Sequence, residues 1–136
     1  MSNPIVHFSV VGQDPDALAR FYTETFGWGS PRHPDPASSF LQTGEAGDLT
    51  GVVKPDELGD PTPRVTMWIE VDDLDAALRR IEALGGRAVG ATAVLSQGPR
   101  VARFADPEGN VMGLAERGRE KFAEFQEQEA RRRAGR

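Results

Sequence analysis

The chain has no cysteine among its 136 residues. This absence excludes disulfides, thiolate metal sites and a cysteine nucleophile, and it is typical of proteins of the reducing cytosol. The sequence also lacks any run approaching the ~20 apolar residues that a membrane span requires, and its first residues do not form a secretory signal. We therefore expect a cytoplasmic protein that does not contact membranes.

An excess of basic residues is missing as well, since the formal net charge is -5. Residues 117–136 hold seven Arg and Lys against four Glu, a balance of +3, so residues 1–116 carry -8. A body of that charge repels phosphate backbones. Nucleic acid is therefore excluded as an expected partner.

The sequence does contain two similar successions of strand and helix signals. PIVHFSVVG predicts a strand, and Asp14-Pro15 then predicts a helix that Gly27 ends. After the proline-rich segment 55–63, RVTMWIEVDD predicts a second strand, with Asp73 as the N-cap of a second helix. Further strands are expected as three short ones within 28–54 and as segments 87–94, 101–105 and 111–116.

These successions form an internal repeat. Adding 59 maps Pro4 on Pro63 and Asp14 on Asp73, and a later offset of 62 maps GDLTGVV on GNVMGLA, with Gly51 on Gly113. The sequence therefore predicts an α+β domain, residues 1–116, built from two βαβββ modules. The modules are residues 4–54 and 64–116, and residues 55–63 link them.

A βαβββ module has one helix and so covers only one face of its sheet. The other face has to curve around a partner module, a ligand or both. A curved mixed sheet that forms a cup for a small organic ligand is therefore the expected site.

The combination of motifs resembles the vicinal oxygen chelate superfamily. The motifs are a strand with His7 followed by Asp14, a helix ending Phe-Gly-Trp, a strand ending VDDLD, and a closing DPEGN. The superfamily includes glyoxalase I, extradiol dioxygenases, methylmalonyl-CoA epimerase and bleomycin-binding resistance proteins, and the motifs are most similar to short glyoxalase-like bacterial proteins. The resemblance implies the two-module cup described above.

The same resemblance implies four metal-ligand positions, which fall here on His7, Gly51, Thr66 and Gly113. Only His7 carries a metal-ligating side chain, whereas a zinc- or iron-type site needs at least three His, Asp or Glu ligands. We therefore expect neither a catalytic metal nor another cofactor. The carboxylates of FADPEGNVMGLAE are expected to belong to a turn followed by a strand.

Strand alternation predicts which side chains line the cup. His7 and Ser9 share one face of their strand, as Thr66, Trp68 and Glu70 do of theirs. Each residue also has a structural interpretation, since His7 could be a buried, hydrogen-bonded histidine and Trp68 could be core. The predicted ligand contacts are His7, Ser9, Trp28, Phe40, Gly51, Thr66, Trp68, Glu70, Arg103 and Gly113.

Two main functional hypotheses follow. The first is metal-independent binding of an apolar or aromatic organic molecule, such as sequestration of a metabolite or an antibiotic. The second is a metal-free isomerase, cyclase or lyase that acts on a substrate like a natural product, with His7 as general acid/base. A metal-dependent glyoxalase-type lyase and a purely structural dimerisation module are further alternatives.

Residues 117–136 extend beyond the two modules. Glu127-Arg131 and Glu129-Arg133 pairs at helical spacing predict a C-terminal helix, on which Phe122 and Phe125 are the large apolar residues. Two exposed phenylalanines require a surface, so the helix should dock on the domain or on a second subunit. The family resemblance implies a homodimer.

Overall fold

The computed structural model describes residues 2–33, 35–45, 48–56, 59–94 and 99–117. The chain divides into two compact units. The N-terminal unit is Pro4–Trp68, and the C-terminal unit is Ile69–Arg136 together with Met1–Asn3. The predicted C-terminal helix lies outside the described residues.

The elements follow one another in the order that the repeat predicts, except that two named strands rather than three follow the first helix among the described residues. Strand β4 contributes residues to both units, because the division along the chain falls inside it, between Trp68 and Ile69. None of the helices in the described part of the chain is long and apolar enough to cross a membrane. The element bounds are β1 Ile5–Val11, α1 Pro15–Phe26, β2 Ser39–Gln42, β3 Thr50–Lys54, β4 Val65–Val71, α2 Leu74–Ala83, β5 Arg87–Val94, β6 Arg100–Ala105 and β7 Val111–Glu116.

The N-terminal unit has the strand order β2-β3-β1-β4, in which β1 is parallel and β2 antiparallel to β3. The prediction of three strands within 28–54 is wrong, since this part of the described chain has two named strands and an isolated bridge between Gly29 and Gln42. Pro31, Pro34 and Pro36 follow the bridge, and proline cannot donate to a strand ladder. The segment before β2 therefore runs as a loop.

The C-terminal unit has the strand order β4-β7-β6-β5, and β6 is antiparallel to both β5 and β7. The three strands expected in this part are confirmed, with β6 beginning one residue early at Arg100. Inside β5 the register shifts between Val89 and Ala93, and Gly90 has a φ of 74°. Glycine at this position allows a bulge that other residues would strain.

Both helices begin as their sequences predict. The Asp14 carboxylate accepts a hydrogen bond from the Ala17 N–H at 3.2 Å, and the Asp73 carboxylate accepts one from the Ala76 N–H at 3.0 Å. These bonds satisfy backbone donors that have no partner inside the helix. The left-handed Gly27, with a φ of 71°, ends α1.

Each helix covers one face of its own sheet, so each sheet has one face that packs against a helix and one that does not. Phe8, Leu18, Tyr22 and Trp28 pack around the core under α1. The buried core residues are Val10, Ala19, Leu41 and Val53 under α1, and Val71, Leu74, Ala102 and Leu114 under α2.

Candidate functional site

The candidate site lies on the sheet face of the N-terminal unit that points away from α1. His7 and Ser9 point to this face, because Phe8 and Val10 beside them pack under α1. Ser9 pairs with Val52, which in turn pairs with Phe40. We call this surface the His7 face, and its side chains are His7, Ser9, Phe40, Val52, Lys54, Thr66 and Trp68.

Trp68 is the best-fixed side chain of the His7 face. Its indole is 2% exposed, and its Nε1–H donates a hydrogen bond to the Ser9 Oγ at 2.9 Å. The His7 ring stacks on it, with 5.7 Å between ring centroids and 13° between the planes. Trp68 is therefore a buried support for His7, and its ring leaves almost no surface on which a flat ligand could stack directly.

His7 is half-buried and uncharged. Burial, and secondly the positive charge of Lys54, lower the pKa of its imidazole from 6.5 to about 4. Among the described residues neither ring nitrogen has a hydrogen-bond partner. At neutral pH the ring therefore offers one donor and one acceptor to a ligand.

Lys54 is a residue of this face that the sequence interpretation missed. Its Nζ lies 5.4 Å from the centroid of the Trp68 ring. Its positive charge is the second cause of the lowered pKa of His7. Strand alternation from Val52 would have placed Lys54 on the same face as His7. The sequence interpretation assigned Gly51 to this face, and strand alternation from Gly51 places Lys54 on the opposite face.

Two further predicted contacts are buried on the His7 face. Phe40 is 6% exposed, and the His33 ring packs on it with 4.4 Å between ring centroids. Thr66 is 4% exposed and lies two residues before Trp68 on the same side of β4. Both residues shape the wall of the site, and whether they touch a ligand stays a prediction.

Gly51 was predicted to open the ligand side of the sheet, and this is wrong. It pairs with Phe8, so it points towards α1, and a Cβ placed on it would lie 2.4 Å from the Phe8 ring. The glycine makes room for a packed aromatic ring rather than for a ligand. The strand residue on the His7 face is its neighbour Val52.

Trp28 was predicted as a ligand contact in the wall of the cup, whereas it packs on the α1 side of the sheet. Its ring stacks with that of Tyr22, with centroids 5.8 Å apart, and meets the Phe8 ring edge to face at 6.5 Å. These contacts belong to the core under α1. The structure does not bring Trp28 together with His7.

The remaining predicted contacts belong to the C-terminal unit. Gly113 pairs with Arg103, and the two point away from α2 because their neighbours Ala102 and Leu114 pack under it. Glu70 is 5% exposed, and its carboxylate lies 3.7 Å from the guanidinium of Arg117. Contact between these three residues and a ligand stays a prediction.

The carboxylates near DPEGN have structural roles. The Asp106 Oδ1 accepts hydrogen bonds from the N–H groups of Glu108 and Asn110, both at 2.9 Å, which closes the expected turn. Glu116 accepts hydrogen bonds from Arg100 at 2.8 Å and from the Leu74 N–H at 2.9 Å. These carboxylates hold a turn and the start of α2.

The described residues do not fit a divalent metal. Nowhere among them do three or more His, Asp or Glu side chains come together as a metal would require. Within the N-terminal unit His7 is surrounded by an indole and a cation, and the Lys54 charge opposes a metal ion. No step of a reaction can be derived through a metal at these residues.

Comparison with known proteins identifies the family. Residues 7–115 match the glyoxalase-like domain family. The chain belongs to this family. A glyoxylase-like domain-containing protein of Didymella fabae is 35% identical over 114 residues, which cover 76% of this chain and 86% of that protein. This likeness extends along most of both proteins.

Other relatives of this glyoxalase-like domain are longer proteins. The anthracycline biosynthesis protein DnrV of Streptomyces peucetius is 30% identical over 127 residues, covering 82% of this chain and 46% of DnrV. CFP32 of Mycobacterium bovis is 28% identical over 106 residues, covering 74% of this chain and 41% of CFP32. The chain therefore spans less than half the length of these two relatives.

Solved structures show the fold. Methylmalonyl-CoA epimerase from Mycobacterium tuberculosis matches with a TM-score of 0.55 and 21% identity, covering 84% of this chain and 87% of the epimerase. A hypothetical protein from Bacillus halodurans matches with a TM-score of 0.62 and 15% identity, covering 87% of this chain and 96% of that one. The glyoxalase-like domain has the α+β vicinal oxygen chelate fold, as its motifs predict.

Proposed function

We propose that the glyoxalase-like domain binds a small, flat organic molecule on the His7 face without the help of a divalent metal. The observation that carries this proposal is the His7 imidazole, which is uncharged and has no hydrogen-bond partner among the described residues. A half-buried polar group without a partner gains free energy when a ligand supplies one.

The surroundings of His7 support binding because they fix the ring before a ligand arrives. Ser9 holds the Trp68 indole through one hydrogen bond, and the indole holds the imidazole by stacking. A ring whose orientation is already set loses little conformational entropy when it binds. The apolar side chain of Val52, on the adjoining strand, gives the ligand a surface beside His7.

The chemical class of ligand is suggested by the relatives. DnrV is named as an anthracycline biosynthesis protein, and so is DauV of a Streptomyces strain, which is 29% identical over 127 residues. Anthracyclines contain a planar, fused-ring anthraquinone part. We infer that this domain takes a planar aromatic ligand and sequesters it, whether it is a metabolite or an antibiotic.

The lowered pKa of His7 favours binding over proton transfer. A general base works best when its pKa lies near the working pH, and the pKa of His7 is about 4. The imidazole is then a weak base at neutral pH, although it remains a good hydrogen-bonding group. A metal-free isomerase, cyclase or lyase with His7 as acid/base is therefore the second hypothesis.

The proposal can be tested with 2-hydroxyanthraquinone as a planar probe. Its affinity would be measured by calorimetry and by quenching of tryptophan fluorescence, with EDTA-treated protein. His7→Phe keeps a ring against Trp68 and removes both nitrogens, so we expect roughly tenfold weaker binding from one lost hydrogen bond. Glu24→Ala, on the exposed side of α1, is the matched control and should bind as the wild type does.

Two outcomes would overturn the proposal. One is wild-type protein that does not bind the probe, or that binds it as well after His7→Phe. The other is binding that appears only when zinc, nickel or iron is added back. Isomerisation or cleavage of the probe that is lost in His7→Phe would favour the second hypothesis.

A further inference from the structure

The chain has two histidines, and the fold brings the second one to the His7 face. His33 belongs to the loop before β2, and its ring packs on Phe40 with 4.4 Å between ring centroids. Phe40 points to the His7 face through its pairing with Val52. The proline-rich sequence PRHPDP around His33 is compatible with a solvent-exposed loop or with a loop that reaches the rim of the cup, and the structure has His33 half-buried.

The register gives the backbone separation between His7 and Phe40, the residue on which the His33 ring packs. His7 is aligned with Thr50 and Gln42, and Phe40 lies two residues from Gln42 along β2. Two steps between strands and two residues along a strand correspond to about 12 Å at the backbone. A ligand that contacts both positions must therefore be elongated. A small ligand about 5 Å long, such as a three-carbon acid, could contact only one of them.

The hydrogen bonds of His33 define which nitrogen carries the proton. Its Nδ1 accepts a hydrogen bond from the Asp35 N–H at 2.9 Å, so Nδ1 is unprotonated. Burial lowers the pKa of the ring below 6.5, which agrees with a neutral imidazole at neutral pH. Its Nε2–H is therefore a donor, and among the described residues it has no acceptor.

His33 also lines a polar pocket of about 230 Å³ at the outer edge of β2, which extends to Asp16 and Ser39 on the α1 side of that edge. Two of the pocket hydroxyls have defined partners, since the Ser39 Oγ donates to Asp16 at 3.4 Å and the Ser30 Oγ donates to the Phe40 carbonyl at 2.7 Å. Ser38 and Arg32 add further polar side chains to the lining. The pocket therefore suits a polar group better than an apolar one.

We infer that His33 is the second contact of the site, and that it donates a hydrogen bond to an oxygen at the far end of the ligand. The near end of the same ligand meets His7, and an apolar plane between the two ends lies along Val52, which is half-buried. This inference rests on the proposed function. It narrows the ligand class to elongated, fused-ring aromatics that carry a hydroxyl, carbonyl or carboxyl group at each end.

The test compares two probes that differ by one end group. 2,6-Dihydroxyanthraquinone has hydroxyls at opposite ends, and 2-hydroxyanthraquinone has one. We expect the wild-type protein to bind the first roughly tenfold more tightly, because the second hydroxyl finds a partner in His33. His33→Phe keeps a ring on Phe40 and should remove this preference, whereas His33→Gln keeps an N–H donor and should retain part of it.

The controls separate this inference from the proposed function. Circular dichroism would confirm that each variant is folded, and Glu24→Ala should retain the wild-type preference. If His7→Phe weakens both probes while His33→Phe leaves the preference unchanged, the inference about His33 is overturned and the proposed function stands. An equal loss of affinity for both probes in His33→Phe also overturns the inference about His33. If the protein shows no binding that depends on His7, both the inference and the proposed function are overturned.

Discussion

At the scale of single residues, His7 makes the domain sensitive to acid. The imidazole titrates near 6.5 in the unfolded chain and at about 4 in the folded one. Between these two values the unfolded state binds a proton that the folded state does not bind. The free energy of unfolding therefore falls as the pH decreases from about 6.5 to about 4, and is unaffected by His7 above that range.

Replacing His7 by phenylalanine should remove this acid-induced decrease in the free energy of unfolding. At pH 5 we expect the loss caused by His7 to be about 2 kcal/mol, from 1.36 kcal/mol for each pH unit below 6.5. Urea denaturation at pH 7 and pH 5 would measure it as a smaller drop in the free energy of unfolding for His7→Phe than for the wild type. An equal drop in both proteins would show that His7 is accessible to protons in the folded state.

Gly51 should be intolerant of even a methyl group. The Cβ of an alanine there would lie 2.4 Å from the Phe8 ring, which has to move within a packed core. We expect Gly51→Ala to destabilise the domain by about 1–3 kcal/mol. In the matched control Gly29→Ala the nearest atom is the Gln42 Cβ at 3.7 Å, so its denaturation midpoint should stay close to the wild-type value.

At the scale of secondary structure elements, Glu116 connects three parts of the C-terminal unit. It lies on β7 and accepts hydrogen bonds from Arg100 on β6 and from the Leu74 N–H at the start of α2. The hydrogen bond from Arg100 and then that from Leu74 lower the pKa of Glu116 from 4.5 to about 2. Its stabilising effect is therefore complete above about pH 4.5 and is lost as the pH falls towards 2.

Glu116→Gln should lower the melting temperature at pH 7 and have little effect at pH 2. The amide keeps the shape of the side chain but loses the charge that Arg100 and the helix N-terminus favour. Asp75→Asn is a suitable comparison, because Asp75 also meets Arg100, at 3.4 Å, but its side chain is 60% exposed. Surface pairs of this kind contribute little, so a large loss in Asp75→Asn would contradict the assignment.

The elements that the sequence predicted correctly have strong local signals. Asp14-Pro15 and Asp73 predict the starts of their helices, because the capping hydrogen bonds form with residues three positions further along the chain. Three strands were expected within 28–54 and two named strands are described, because prolines before β2 cannot donate to a strand ladder although they allow extended backbone. The position of His33 could not be predicted, since it depends on a contact with Phe40 that no local pattern records.

The repeat was predictable, but its register was not. An offset of 62 equates Gly51 with Gly113, yet Gly51 points towards α1 whereas Gly113 points away from α2. A shift of one residue along a strand moves every side chain to the other face. Sequence similarity alone could not distinguish Gly51 from Val52, because both strands read as short apolar runs around a glycine.

At the scale of the whole molecule, the two units carry different polar and aromatic side chains on their sheets, although the order of their elements is similar. Both histidines lie in the N-terminal unit, together with Lys54 and Trp68. The C-terminal unit supplies Glu70 and Arg103, and the Glu70 carboxylate is paired with Arg117. The residues that carry the candidate site therefore lie in the N-terminal unit.

Divalent metals should leave the melting temperature of the protein unchanged. A ligand present at 100 times its dissociation constant stabilises a folded protein by about 2.7 kcal/mol, which differential scanning fluorimetry detects as a clear shift. We expect no such shift with zinc, nickel or ferrous iron, and no loss after EDTA treatment. A metal-induced rise that disappears in His7→Phe would mean that His7 ligates a metal with residues outside the described part of the chain.

The packing of Phe8 against Gly51 also determines where a carboxylate could be introduced beside His7. A mutation of Gly51 to glutamate would place the new carboxylate under α1, where it collides with an aromatic ring and meets no imidazole. The productive route would instead start at Val52, on the same face as His7. A carboxylate introduced at the glycine would therefore destabilise the protein and would not join His7 at a metal site.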